Sequence, residues 1–144
     1  MIRQLKQISY ADLNARQKEA FNFQDVSFVL ANLGCTTIRL SSDWQGADFI
    51  AQHLDGTTFL KVQLKGRLCF YKKYMGRDLY ICFRSGNDWY LYPHDRLLKE
   101  LAIDKRKFFR ERGGLSYSSF PKKFSRILER YRLIAQDARW VHKS

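Results

Sequence analysis

The pair Asp55-Gly56 lies between two stretches of alternating character, residues 46–54 and 57–67. Such a pair is the strongest short-range sign of a β-hairpin, because a type I′ turn needs positive φ at both central residues. If these two residues form the whole loop, Leu54 faces Thr57 and the numbers of paired residues sum to 111. Asp48 then faces Gln63, with the two Cβ atoms roughly 5 Å apart. Lys65 falls on the same face, one diagonal away, because strand side chains repeat every second residue. A three-residue loop would pair Asp48 with Leu64 and turn Gln63 and Lys65 to the other side.

Upstream, residues 14–33 read as a helix. Phe23, Val26, Leu30 and Leu33 recur at three- and four-residue spacing and mark its buried stripe. Asn14 with Gln17 resembles a capping box, with Asp12 a second candidate cap, and Gly34 stands in the usual stop position. Stepping the stripe back by one turn places Glu19 on the core-facing side, where a carboxylate sits at a wet rim or points into a polar site. Residues 35–40 are β-branched and predict a first strand, followed by a polar loop over residues 41–45.

Downstream, residues 67–77 form a basic, aromatic connection in which Lys72, Lys73 and Arg77 alternate with Phe70, Tyr71 and Tyr74. Residues 78–83 and 88–92 predict two further strands around a Ser85-Gly86-Asn87 turn, and Asp95 is placed to cap a helix over residues 96–103. A strongly basic stretch follows, with Lys105, Arg106, Lys107, Arg110 and Arg112 around Phe108 and Phe109. Pro121 then opens a last helix to about residue 136. The expectation is one α/β (α+β) domain over residues 1–144: a mixed central sheet of about five strands with flanking helices. Its core spans about residues 14–103, with a basic helical extension over residues 104–144.

Charge narrows the class of partner. Among 144 residues, 26 Lys and Arg oppose 14 Asp and Glu, a net charge of +12 that favours polyanions, with nucleic acid before an acidic membrane surface. The 45% hydrophobic content and 15% aromatic content fit a folded chain. Cys35, Cys69 and Cys82 lie in or beside apolar runs without metal-ligand spacing and read as buried free thiols in a reducing compartment. No apolar run approaches 18 residues, so no membrane partner and a cytoplasmic location are expected. His53, His94 and His142 are scattered without zinc-ligand spacing.

On the hairpin face, Asp48, the Gln63 side-chain oxygen and a nearby main-chain carbonyl suit a hard divalent cation, which takes one or two carboxylates plus waters and a phosphate oxygen. Glu19 is the best-phased second carboxylate, and Lys65 is near enough to orient a water or to stabilise charge on a phosphate. A helix with an acidic residue, then Asp48 on one strand and Gln63-x-Lys65 on the next, resembles the PD-(D/E)xK nuclease superfamily over about residues 14–92. The resemblance implies a restriction endonuclease-like core and phosphodiester cleavage dependent on Mg²⁺ or Mn²⁺. By the same resemblance Asp48 is the metal-binding acid, Gln63 stands in the place of the motif's Glu, Lys65 is the catalytic lysine and Glu19 the helix acid. It also makes a homodimer one expectation.

The sequence therefore favours a metal-dependent nuclease acting on DNA rather than RNA, gripping the backbone through Lys72, Lys73, Arg77, Lys105, Arg106, Lys107, Arg110 and Arg112. The alternative is a non-catalytic nucleic-acid-binding module on the same scaffold, for which neutral Gln63 is the best support. A structural protein whose charge serves only solubility is a third reading.

Overall fold

The computed structural model describes residues 4–110 and 113–134. Helix α1 (Ala15–Asn32) opens with Asn14 as N-cap: its side chain accepts from the Gln17 N–H at 2.9 Å, and Gln17 returns the bond to the Asn14 N–H at 3.0 Å. The reciprocal box satisfies two otherwise orphaned donors. Gly34 leaves the helix at φ +89°, a conformation that costs a side-chain-bearing residue free energy. Val26 and Leu30 are buried, and Phe23 and Leu33 are half-buried.

The sheet has five strands in the order β1-β2-β3-β5-β6. They are β1 (Cys35–Trp44), β2 (Ala47–His53), β3 (Phe59–Lys65), β5 (Leu79–Ser85) and β6 (Asp88–Pro93), and β3 and β5 run parallel while the other pairs are antiparallel. The mixed five-stranded sheet with flanking helices expected from the sequence is the architecture of the chain.

The expected register forms, through a different turn. Phe49 pairs Val62, Ile50 pairs Lys61, Ala51 pairs Leu60 and Gln52 pairs Phe59, all summing to 111. The loop nevertheless spans four residues: the His53 N–H bonds to the Thr58 carbonyl at 2.9 Å, and the Gly56 N–H closes onto the His53 carbonyl at 3.2 Å. Gly56 has φ +75° but Asp55 does not have positive φ. Asp55 instead accepts from the Thr57 and Thr58 N–H groups at 2.8 and 2.7 Å and from the Thr58 hydroxyl at 2.6 Å. These bonds hold its carboxyl well below the usual carboxylate range. Two- and four-residue loops centred on the same point give the same register.

The two-residue turn with positive φ at both positions is Gln45-Gly46, at +52° and +89°, between the paired residues Trp44 and Ala47. Residues 41–44, expected as loop, belong to β1, and the β1–β2 register shifts between Arg39 and Trp44.

The connection from β3 to β5 is also more ordered than expected. It contains β4 (Leu68–Tyr71) and a 3₁₀ turn over Lys72–Tyr74, and β4 forms a second, two-stranded sheet with β7 (Gly114–Tyr117). Helix α2 (His94–Glu100) begins earlier than the expected residue 96 and has Pro93, not Asp95, at its N-cap. Helix α3 (Lys105–Arg110) follows. The long last helix expected from Pro121 is instead a 3₁₀ turn (Lys122–Phe124), the short α4 (Ser125–Leu128) and another 3₁₀ turn (Glu129–Tyr131); Gln136 lies outside the described residues. Ile134, which falls within the expected helix, is exposed.

Two apolar cores sandwich the sheet. One, under α1, joins Val26, Leu30, Phe49, Ala51, Val62, Cys82 and Trp89. The other packs Phe70, Ile81, Phe83, Tyr92 and Leu97 with Phe108, Phe124 and Leu128 from the last third of the chain. Cys69 and Cys82 are buried and Cys35 half-buried, all three as free thiols. No helix among the described residues is long and apolar enough to cross a membrane.

Candidate functional site

The β2–β3 ladder stops at Phe49–Val62, so the next pair in register, Asp48 and Gln63, is not bridged by main-chain bonds. Asp48 fills the gap: its Oδ2 accepts from the Leu64 N–H at 2.9 Å. On the other side of β2 lies the shifted register of β1. Regular pairing is thus lost on both flanks of the start of β2, a usual place for a sheet to re-aim side chains. A cleft of about 460 Å³ opens there.

Asp48, Gln63, Lys65 and Glu19, the four residues singled out in the sequence, all line this cleft. Asp48, Gln63 and Lys65 are half-buried, whereas Glu19 is exposed at the rim, one turn before Phe23. Burial pushes the Asp48 carboxyl up from the usual carboxylate range. The Leu64 N–H opposes that shift, Asp43 and Glu19 add to it by like charge, and Lys65 counters it. The surroundings of Asp48 thus disfavour its ionised form relative to water.

Gln63 Oε1 is buried and has no hydrogen-bond partner among the described residues. Leaving such an acceptor unmade costs roughly 1–3 kcal/mol. An orphaned amide oxygen on a residue that lines the same cleft as a carboxylate gives a donor set suited to a hard, oxygen-seeking cation. The described residues contain no cluster of three His, Cys, Asp or Glu side chains placed for a metal. Magnesium does not need one, since it keeps several waters and takes substrate phosphate oxygens alongside one or two carboxylates.

Sequence reasoning missed part of this cleft. Asp43, from the stretch read as loop, lines it near enough to raise Asp48, and Arg39 lines it with its guanidinium 5.6 Å from the Phe23 ring. Asn22, one helical turn beyond Glu19, lines it too. Recognising residues 41–44 as strand would have brought Arg39 and Asp43 beside the start of β2.

Lys65 is seated on two tyrosines, its Nζ 5.3 Å from the Tyr71 ring and 5.6 Å from the Tyr74 ring. Lys73 occupies the same ring pair at 5.7 and 5.2 Å. Lys73 and Arg77 are exposed and Lys72 is half-buried, with Arg77 Nε donating to the Lys73 carbonyl at 2.7 Å. Arg106, Lys107 and Arg110 are exposed on α3, which carries Lys105 at its first position. Arg112 lies outside the described residues. Among the described residues, none of the basic residues from 72–77 or 105–110 lines the cleft.

No protein-family model matches the sequence, and no curated protein matches it. A solved structure to which the chain is similar is Hjc, a Holliday junction resolvase from the archaeal hyperthermophile Archaeoglobus fulgidus. The identity is 19% and the TM-score 0.43, over 51% of this chain and 76% of that one.

Proposed function

We propose that the protein is a divalent-metal-dependent nuclease that hydrolyses phosphodiester bonds, with DNA as substrate. The observation that carries this reading is the orphaned, buried Oε1 of Gln63, a residue that lines the cleft together with Asp48, Lys65 and Glu19. Asp48, through the oxygen not engaged by Leu64, and Gln63 Oε1 would hold the ion, with Glu19 contributing from the rim. When bound, Mg²⁺ or Mn²⁺ supplies Lewis-acid polarisation of the phosphoryl group.

The remaining work falls to the chain. Lys65 presents an ammonium group that can orient a water and offset charge gathering on the phosphate oxygens. Hydrolysis adds the water oxygen to phosphorus and breaks one P–O ester bond, with the water's proton passing to solvent and the leaving oxygen protonated. The net charge of +12 attracts the polyanion to the protein.

Nicking of supercoiled plasmid in Mg²⁺, abolished by chelator and by Asp48→Ala or Lys65→Ala, is the expected result. Undiminished nicking in both variants would overturn the reading. Gln63 favours one competing reading, a binding module without catalysis, because a neutral residue there lowers the charge available to a metal. That reading expects salt-sensitive DNA binding and no cleavage in any metal.

A further inference from the structure

Two ammonium groups share one pair of aromatic rings beside the cleft. Tyr71 and Tyr74 meet edge to face at 5.6 Å, and both Lys65 and Lys73 lie within 5.7 Å of each ring. A ring's negative face attracts a cation, by about 0.5–2 kcal/mol according to exposure, but two cations on one ring pair still repel each other. An anion reaching both relieves that repulsion.

The rings are held from behind. The Tyr71 N–H donates to His94 Nε2 at 3.0 Å, so the imidazole proton sits on Nδ1, 2.7 Å from Asp95 Oδ1. The other Asp95 oxygen accepts from the Gly76 N–H at 2.8 Å. His94 is 1% exposed and its ring meets the Tyr74 ring at 5.6 Å. The segment from Tyr71 to Gly76 is thereby pinned at both ends to the start of α2. Nothing in the proposed hydrolysis uses His94 directly, and its burial is accounted for by this clamp.

We infer that Tyr71 and Tyr74 are positioning residues that hold Lys65 and Lys73 as a two-ammonium seat for the DNA backbone. Lys65 is directed to the phosphate in the cleft and Lys73 to a neighbouring one. The inference rests on the nuclease reading for the identity of the substrate, but the seat acts in binding and is measurable without turnover. It also gives Lys73 a distinct part among the exposed basic residues, because its ammonium lies on the same rings as the cleft lysine.

The test is the affinity of the full chain for a short fluorescent DNA duplex, by anisotropy in chelator, where no cleavage occurs. Lys65→Gln and Lys73→Gln are each expected to weaken binding roughly three- to tenfold and to lower the salt slope by about one. In a Tyr71→Leu background the same substitutions should change affinity less than about twofold, whereas Tyr71→Phe, which keeps the ring face, should retain the coupling. Lysine effects of equal size in wild-type and Tyr71→Leu backgrounds overturn the seat, as does an unaltered affinity in both lysine variants.

Should Tyr71→Leu not fold, the wild-type protein decides the matter by NMR. The ε-methylene protons of both lysines should be shifted upfield by the rings, and values at random-coil positions overturn the inference. A plasmid assay without nicking would remove the nuclease reading and leave the binding result standing. Additive binding effects beside intact nicking would remove only the seat.

Discussion

Asp48 Oδ2 accepts the Leu64 N–H at 2.9 Å, tying the carboxylate to the strand that presents Gln63 and Lys65 on either side of Leu64. One oxygen is anchored, and in the proposed site the other would face the metal. Asp48→Ala is expected to lower the rate of Mg²⁺-dependent cleavage on the order of 10³-fold, equivalent to several kcal/mol of transition-state stabilisation. Lys65→Ala should cost roughly 10²- to 10³-fold in kcat with a smaller change in binding. Single-turnover cleavage of a labelled duplex measures both, and a loss confined to KM would contradict the assigned roles.

Gln63 gives a substitution with opposite effects on two measurements. Gln63→Glu adds a negative charge beside Asp48 and should lower the half-saturating Mg²⁺ concentration by roughly tenfold. In the metal-free protein the same charge repels Asp48, so Tm should fall. Gln63→Leu removes the orphaned oxygen; it should raise Tm and weaken metal binding. Calorimetric Mn²⁺ titration beside thermal melts reads both, and parallel movement of affinity and apo stability would count against a metal role for this side chain.

The pH dependence follows from the raised Asp48 carboxyl, whose first cause is burial. Its folded pKa lies above the unfolded value, so between the two the native state binds more protons. The contribution of Asp48 to stability therefore declines as pH rises through that window. Metal-free Asp48→Asn should melt higher than wild type at neutral pH, with the difference shrinking in acid. Because a cation needs the ionised carboxylate, activity should fall on the acid side at a pH above the ordinary carboxylate range near ~4. More Mg²⁺ should move that limb to lower pH. Rate profiles at two Mg²⁺ concentrations check the shift.

Local chemistry was legible in the sequence and non-local pairing was not. The capping box of α1 and the stop at Gly34 follow from residues three or four apart, and both form as read. The 111 register survived an incorrect turn because it depends on the loop's centre rather than its type. Asp55 proved to be an acceptor for two N–H groups, while the I′-like geometry went to Gln45-Gly46, where glutamine gave no sign of positive φ. The β4–β7 sheet joins residues more than 40 apart in a stretch without strong alternation, so no window of sequence reveals it. The same limit hid Arg39 and Asp43, which reach the cleft only because β1 runs on to Trp44.

The second sheet turns on Gly114. Its φ is +139°, and a Cβ there would stand 1.9 Å from the Phe70 carbonyl oxygen. No rotamer change relieves a clash with backbone, so Gly114→Ala must part β4 from β7 and should cost roughly 3 kcal/mol or more. Gln45→Asn provides a contrast: it keeps an amide at φ +52° but suits the left-handed region better, and should stabilise by about 0.5 kcal/mol. Urea denaturation of the two variants should move the midpoint in opposite directions.

His94 makes the β4 segment sensitive to acid. Burial pushes its pKa down, while the hydrogen bond and charge of Asp95 act in the opposite sense. The unfolded chain therefore takes up a proton at a higher pH than the native state does, near ~6.5. Between the two values the unfolded state binds more protons, so this contribution to stability rises with pH and is lost as pH falls through the window. Protonation of Nε2 also removes the acceptor of the Tyr71 N–H, so the Tyr71 amide should lose hydrogen-exchange protection in acid before the central strand β5 does. His94→Gln supplies an acceptor that does not titrate and should flatten this pH dependence. Equal loss of protection at Tyr71 and at β5, or an unaltered pH profile in His94→Gln, would show that the imidazole is not the sensitive link.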